Sequence, residues 1–237
     1  MKIVEYNTSK NIIVEFQDDY NYRVKTKFIN FTNGNLKNPY FTSVLGIGSI
    51  GNEKTKINGV HTKEYEAWHD ILKRCYSQKL KDMRPTYIGV ECCKEWLIFE
   101  NFCKWLRNQD NYEKWLNTEK WAVDKDILKK WNKVYSPDTC CLVSPEINSL
   151  FTKRQNCRGK LPIGVIRYKN KYGAQYNNGT GKSKHLGYYD TPIEAFQAYK
   201  TEKENYIKEV AIKSYNNKDI TKRCYEAMMS YVVEITD

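Results

Sequence analysis

The period of hydrophobic positions changes along the chain. Through the first 52 residues the apolar positions come as short β-branched or aromatic runs: Ile3, Val4 and Tyr6, then Ile12, Ile13, Val14 and Phe16. Such runs predict strands, joined by a turn across Asn7–Asn11 and followed by a second turn at Asn33-Gly34-Asn35. From 62 to 82 the spacing becomes helical, with Tyr65, Trp68, Ile71, Leu72, Cys75 and Tyr76 recurring at i, i+3 and i+4. Thr62 is the expected N-cap, and Pro85 ends the element. A short strand is expected over 87–90. A second helix is expected over 94–107, with Trp96, Phe99, Phe102, Cys103 and Leu106 on one side. These stripes predict core, and His61 and His69 read as packing or surface residues.

Trp121 and Val123, with Ile127, suit a strand. Tyr135-Ser136-Pro137-Asp138 is a turn, and a second strand runs over Cys140–Val143. A helix then starts at Ser144-Pro145, with serine as N-cap and proline at the first helical position. Beyond 161 the chain alternates strongly, and three short strands are expected: 163–167, 172–176 and 185–189. Asn177-Asn178-Gly179-Thr180-Gly181-Lys182 joins the last two. Thr191 caps a helix containing Ala195, Phe196, Ala198 and Tyr199, and a last helix over 219–233 packs Tyr225, Met228, Met229 and Val232. This order predicts an α+β fold with three parts: a small β-rich unit over 1–58, a helical and ββα core over 59–158, and a three-stranded antiparallel sheet packed on a helix over 159–237.

No apolar run is long enough to span a membrane, and MKIVEYNTSK has no apolar signal region, so a cytoplasmic protein is expected. Eight cysteines without a CxxC pair read as free, buried thiols; no zinc site is expected. Gly46, Gly48 and Gly51 match G-x-G-x-x-G, but a dinucleotide site needs that loop to open a helix. The polar, turn-rich NEKTKINGV follows instead, so the glycines read as a strand or linker.

Charge sharpens the picture. The formal charge is +11, from 39 bases and 28 acids. Between Glu146 and Asp190 no acid occurs, and nine bases do: Lys153, Arg154, Arg158, Lys160, Arg167, Lys169, Lys171, Lys182 and Lys184. Setting those nine aside leaves 30 bases against 28 acids, or +2. An ordinary solvated face mixes both signs, so a segment free of acids points to a polyanion, nucleic acid foremost. An anionic membrane is disfavoured because the segment alternates like strands and contains no amphipathic helix.

The same segment resembles the three-stranded DNA-binding domain of plant ethylene-response transcription factors, which recurs in phage homing endonucleases. GVIRYKNKYGAQY and HLGYYDTPIEAFQAY carry the likeness, through Gly164, Val165 and Arg167, then Leu186, Gly187, Tyr189 and Thr191, then Glu194, Ala195, Ala198 and Tyr199. Tyr172 stands where the family has a tryptophan. The resemblance implies a sheet lying in the major groove of double-stranded DNA, with Arg167, Lys169, Lys171, Tyr172, Tyr176, Lys182 and Lys184 facing it.

Residues 121–150 resemble an HNH, or ββα-metal, nuclease core. Val123-Asp124-Lys125-Asp126-Ile127 matches the first strand, Pro137–Ser144 the second, and Asn148 the helix asparagine. The resemblance implies catalytic positions at Asp124, Lys125, Asp126 and Asn148, with Asp124 and Asn148 holding Mg²⁺. It also implies a phage origin, and so the cytoplasm of an infected bacterium. The family's general-base histidine is replaced by Lys125. An ammonium has protons to give and no lone pair to accept one, and general-base catalysis is typically worth about 10²–10⁴ in rate. Three functions stay open. The chain is a DNA-binding protein on a nuclease frame with weak or absent cleavage, an active Mg²⁺-dependent homing endonuclease, or a counter-defence inhibitor that binds a nucleic-acid-handling protein.

Overall fold

A computed structural model of the chain describes residues 1–152, 161–178 and 183–237. Lys153, Arg154, Arg158, Lys160 and Lys182, and most of the 177–182 connection, lie outside the described residues. The fold is α+β, built of helices and several small sheets. The chain divides into two compact units, Met1–Ile88 with Cys92–Lys104, and Gly89–Glu91 with Trp105–Asp237. Among the described residues no helix is long and apolar enough to cross a membrane.

The first unit opens with an antiparallel sheet of β1 (Lys2–Thr8), β2 (Asn11–Glu15) and β3 (Arg23–Thr26), in the order β1-β2-β3. Alternation on the central strand buries Ile12 and Val14. Short elements follow: α1 (Phe28–Thr32), then a hairpin of β4 (Lys56–Ile57) and β5 (Val60–His61). Helix α2 (Lys63–Tyr76) starts where expected, with the Thr62 hydroxyl accepting the Tyr65 N–H at 3.2 Å. It does not reach residue 82. Ser77 is extended and its hydroxyl accepts from Leu80, so it caps a separate α3 (Gln78–Met83); serine competes with the helix for its own backbone.

The strand expected at 87–90 is absent. A 3₁₀ turn fills Pro85–Tyr87, and β6 comes later, at Glu91–Cys92. Another 3₁₀ turn over Lys94–Leu97 precedes α4 (Phe99–Arg107). Trp68, Ile71, Leu72, Trp96, Phe99 and Phe102 form the buried interior, as their spacing implies. The Trp68 indole N–H donates to the Trp96 carbonyl at 2.6 Å. The glycines at 46–51 open no helix. A Cβ at Gly48 would lie 2.7 Å from Leu72 Cδ1 and 2.8 Å from the Trp68 ring, so close packing explains that glycine.

In the second unit α5 (Tyr112–Asn117), anchored by buried Trp115, has no counterpart in the expected elements. Strands β7 (Ala122–Asp124) and β9 (Cys141–Val143) pair antiparallel, with β8 (Val134–Tyr135) between them in sequence. Ile127 falls outside β7 and packs in the core. Helix α6 (Pro145–Leu150) follows, the Ser144 hydroxyl accepting from Ile147. A sheet of β10 (Val165–Tyr168), β11 (Lys171–Asn177) and β12 (Ser183–Tyr189) comes next, in the order β10-β11-β12. Helix α7 (Pro192–Asn216) is closed at its start by a Thr191–Glu194 capping box, and α8 (Lys222–Met229) ends earlier than expected. Val232 is consequently 53% exposed rather than packed.

Helix α7 runs under both the sheet and the ββα segment, which fall within one compact unit. It has 25 residues, about 37 Å at 1.5 Å per residue. Its first turns bring Ala195, Phe196 and Tyr199 against Val165, Ala174 and Tyr176 of the sheet. Its later turns bring Ile207, Val210 and Ala211 into a second core with Ile127, Cys141, Val143, Ile147, Leu150 and Met228. One rod thus backs both the sheet and the ββα segment. At Gly164 (φ +77°) a Cβ would stand 2.0 Å from the Tyr199 ring, so glycine is required there on both counts.

Candidate nucleic-acid interface

The strand registers assign the paired residues of the three-stranded sheet to its two faces, with one bulge in β12 at Leu186. Val165 pairs with Ala174 and Ala174 with Gly187, and this face packs on α7. Alternation puts Ile166, Gly173 and Tyr188 opposite one another on the other face, together with Tyr168, Lys171 and Gln175, and a bulge in β12 brings His185 opposite Gln175 on the same face. Tyr168 and Tyr188 are 47% and 48% exposed. Their rings stack at 4.8 Å, and His185 lies 4.5 Å from Tyr188. The open face is therefore aromatic.

The residues implied by the resemblance divide between the two faces. Tyr176 is 6% exposed and belongs to the core on α7; it does not face a ligand, because its register parity turns it inward. Arg167 and Tyr172 pair with each other on that same inner side, where the guanidinium donates to the Tyr172 hydroxyl at 3.1 Å and lies 5.4 Å from its ring. Lys184 pairs in register with Tyr176 and is held by Glu202 of α7 at 3.2 Å. Lys169 and Lys171 flank the β10–β11 turn. Lys169 (φ +52°) lies 5.7 Å from the Tyr168 ring, and Lys171 meets Asp190 at 3.3 Å in a solvent-exposed pair. Lys182 lies outside the described residues. Tyr168, Tyr188 and His185, the most prominent groups on the open face, were absent from the sequence-derived set. Once burial of Val165 and Ala174 fixes the inner face, alternation places Tyr168 on the open one; Tyr188 and His185 reach it through the β11–β12 register and its bulge.

Under the sheet, Lys203 of α7 is 5% exposed. Its ammonium donates to the Asn177 carbonyl at 3.3 Å and lies 5.9 Å from the Tyr176 ring. Burial pulls it down to about 8.

In the ββα segment Asp124, Lys125 and Asp126 follow one another where β7 ends. Their bonding is that of a folded turn. Asp124 Oδ1 accepts the N–H groups of Asp126 and Ile127 at 2.8 and 2.9 Å. Burial raises the Asp124 carboxyl above its ordinary value and the Asp126 carboxylate adds to that, while the two N–H bonds oppose it. Lys125 is 9% exposed. Its ammonium donates to the Asn132 carbonyl at 2.9 Å and to Asp126 at 2.7 Å, and the Asn132 amide returns a bond to the Lys125 carbonyl at 2.9 Å. The pair closes the loop between β7 and β8. Asn148 lies on α6, its N–H donating to Ser144.

As a magnesium site this set fits poorly. One oxygen of Asp124 is committed to the turn, and a buried ammonium occupies the position where the nuclease family has its base.

In the first unit, His61 and His69 bracket Tyr65, with ring centroids 4.6 and 5.6 Å away. With Glu66, Asp70 and Lys73 they line an open cleft of about 410 Å³. Compared with family models, curated proteins and solved structures, the chain matches none.

Proposed function

We propose that this chain is a double-stranded-DNA-binding protein. It engages DNA through the open face and the β10–β11 turn of its three-stranded sheet, and its ββα segment serves as framework rather than as a cutting centre. The observation carrying the reading is the coincidence of two independent features. The segment without acids is the one that folds into a sheet with one face left open, and that face carries exposed rings beside Lys169 and Lys171. Phosphate contacts supply salt-sensitive affinity, and ring contacts add a term that salt does not screen.

Binding of a labelled duplex, measured by anisotropy across a salt series, tests this. The native chain binds with log Kd rising linearly in log salt. The double variant Lys169→Ala, Lys171→Ala weakens binding and flattens the slope by about 2, at about 0.9 per phosphate contact. An unchanged slope refutes the assignment. The order β7, β9, α6 keeps a second reading in view, a metal-dependent endonuclease. Supercoiled plasmid with Mg²⁺ or Mn²⁺ separates the two. Framework predicts intact plasmid, whereas nicking that disappears in both Asp124→Ala and Asn148→Ala establishes the enzyme. A chain that neither binds nor nicks DNA is left with a protein partner.

A further inference from the structure

The open face of the sheet is dominated by rings, with Gln175, His185 and Lys171 as its polar side chains. Groove readers use forked or extended polar side chains aimed at base edges. Here Arg167, the arginine carried by the sheet strands, is turned to the inner side and bonded to Tyr172. Lys184 pairs in register with Tyr176 on the inner side, near Glu202 of α7. What points outward is a row of rings, His185–Tyr188–Tyr168, with Ile166 beside them and Gln175 opposite His185.

The row exists because of Gly173. Tyr168 and Tyr188 lie on the two outer strands, with β11 between them. Strands are about 4.8 Å apart, so the two backbones stand about twice that distance from each other. Their rings still meet at 4.8 Å, because the central position beneath carries no side chain. A Cβ at Gly173 would already lie 3.1 Å from Ile166 Cγ1 and 3.3 Å from Tyr188 Cε1.

Half-exposed rings offer stacking surface. In an intact duplex every base has both faces covered by its neighbours, while an unpaired base has a face to give. We infer that this face binds unpaired bases of a nucleic-acid strand by stacking on Tyr188 and Tyr168, with Lys169 and Lys171 holding the adjoining phosphates. The exposed Lys171–Asp190 pair is weak enough to exchange for a phosphate. The inference rests on the proposed DNA-binding function and names the feature of DNA that is preferred, such as a bulge, loop, junction or single strand.

The test uses the full chain and three labelled oligonucleotides of one sequence: the paired duplex, the same duplex with a central unpaired loop, and the single strand. Stacking one base is worth enough for about a fivefold to hundredfold gain, so the looped duplex is expected to bind at least about fivefold tighter than the paired one. In Tyr188→Ala the ratio of the two affinities falls toward one. Gly173→Val keeps every ring and every charge but wedges the rings apart, and it lowers the ratio as well. Tyr168→Leu repeats the test from the other edge strand, and thermal melting of each variant verifies that the sheet is formed. Equal affinity for paired and looped duplex in the native chain, with salt-sensitive binding retained, overturns the inference and leaves the proposed function standing. No binding to any of the three removes both.

Discussion

Replacing Lys203 by methionine probes the interior on which the sheet rests. The lysine stem is buried between α7 and β11, and its ammonium donates to the Asn177 carbonyl and lies 5.9 Å from the Tyr176 ring. Burial lowers it from 10.5 to about 8. At about 1.4 kcal/mol per pH unit, keeping it charged at pH 7 costs about 3 kcal/mol. Methionine retains the apolar stem and loses the bond to Asn177, which offsets about 1 kcal/mol. Lys203→Met is therefore expected to stabilise the protein at pH 7 by about 1–2 kcal/mol.

The pH dependence distinguishes this account from a simple packing gain. Between pH 8 and 10.5 the unfolded lysine holds its proton while the folded one has released it, so native stability rises with pH across that window. The advantage of Lys203→Met consequently shrinks by about 2 kcal/mol between pH 7 and pH 9.5. Urea unfolding of both proteins at the two pH values measures the difference, and subtraction cancels the tyrosines that titrate in both. A variant less stable at pH 7, or a difference that ignores pH, refutes the reasoning.

Lys125→Met removes a buried donor from the Asn132 carbonyl and from Asp126. A loss of about 1–3 kcal/mol in unfolding free energy is expected, with no change in plasmid integrity; a cleavage phenotype in this variant, without loss of stability, contradicts the framework role. Glu15 is held by Arg23 and Lys2 at 2.7 and 3.0 Å, and these bonds bring its carboxyl down to about 2. Because the folded value lies below the unfolded one, its stabilising contribution is present above about pH 4.5 and is lost as pH falls toward 2. Glu15→Gln should abolish that part of the acid dependence in a pH-resolved urea series, and a native-like acid profile in the variant would count against the ion-pair cluster.

Much of the local architecture was legible in the chain, because it depends on neighbours in sequence. Thr62, Ser144 and Thr191 cap the helices they were expected to cap, since a hydroxyl reaches an N–H two or three residues on whatever the rest of the fold does. The aromatic stripes at Trp68 and Phe99 mark buried helix faces for the same reason, and alternation after 161 announced three strands. The α+β class followed from those elements. The concentration of charge was also a property of sequence alone.

Which way each strand faces was decided by tertiary packing. Arg167, Tyr172 and Tyr176 share one face, joined by Lys184 across a bulge in β12, and Ile166, Tyr168 and Tyr188 share the other. The alternation is symmetrical, so nothing local says which set meets α7. Burial of Val165, Ala174 and Tyr176 against Ala195, Phe196 and Tyr199 settles it, and turns the rings of Tyr168 and Tyr188 to the open side. The same holds at Lys125. Its place in the motif suggested a lost catalytic base, but only the folded loop, which returns Asn132 to within hydrogen-bonding distance from seven positions away, makes it a structural clasp. Periodicity and capping are short-range and survive in the one-dimensional record. The choice of face, and the partner of a buried charge, depend on which distant segment covers them, and that is known only once the chain has closed on itself.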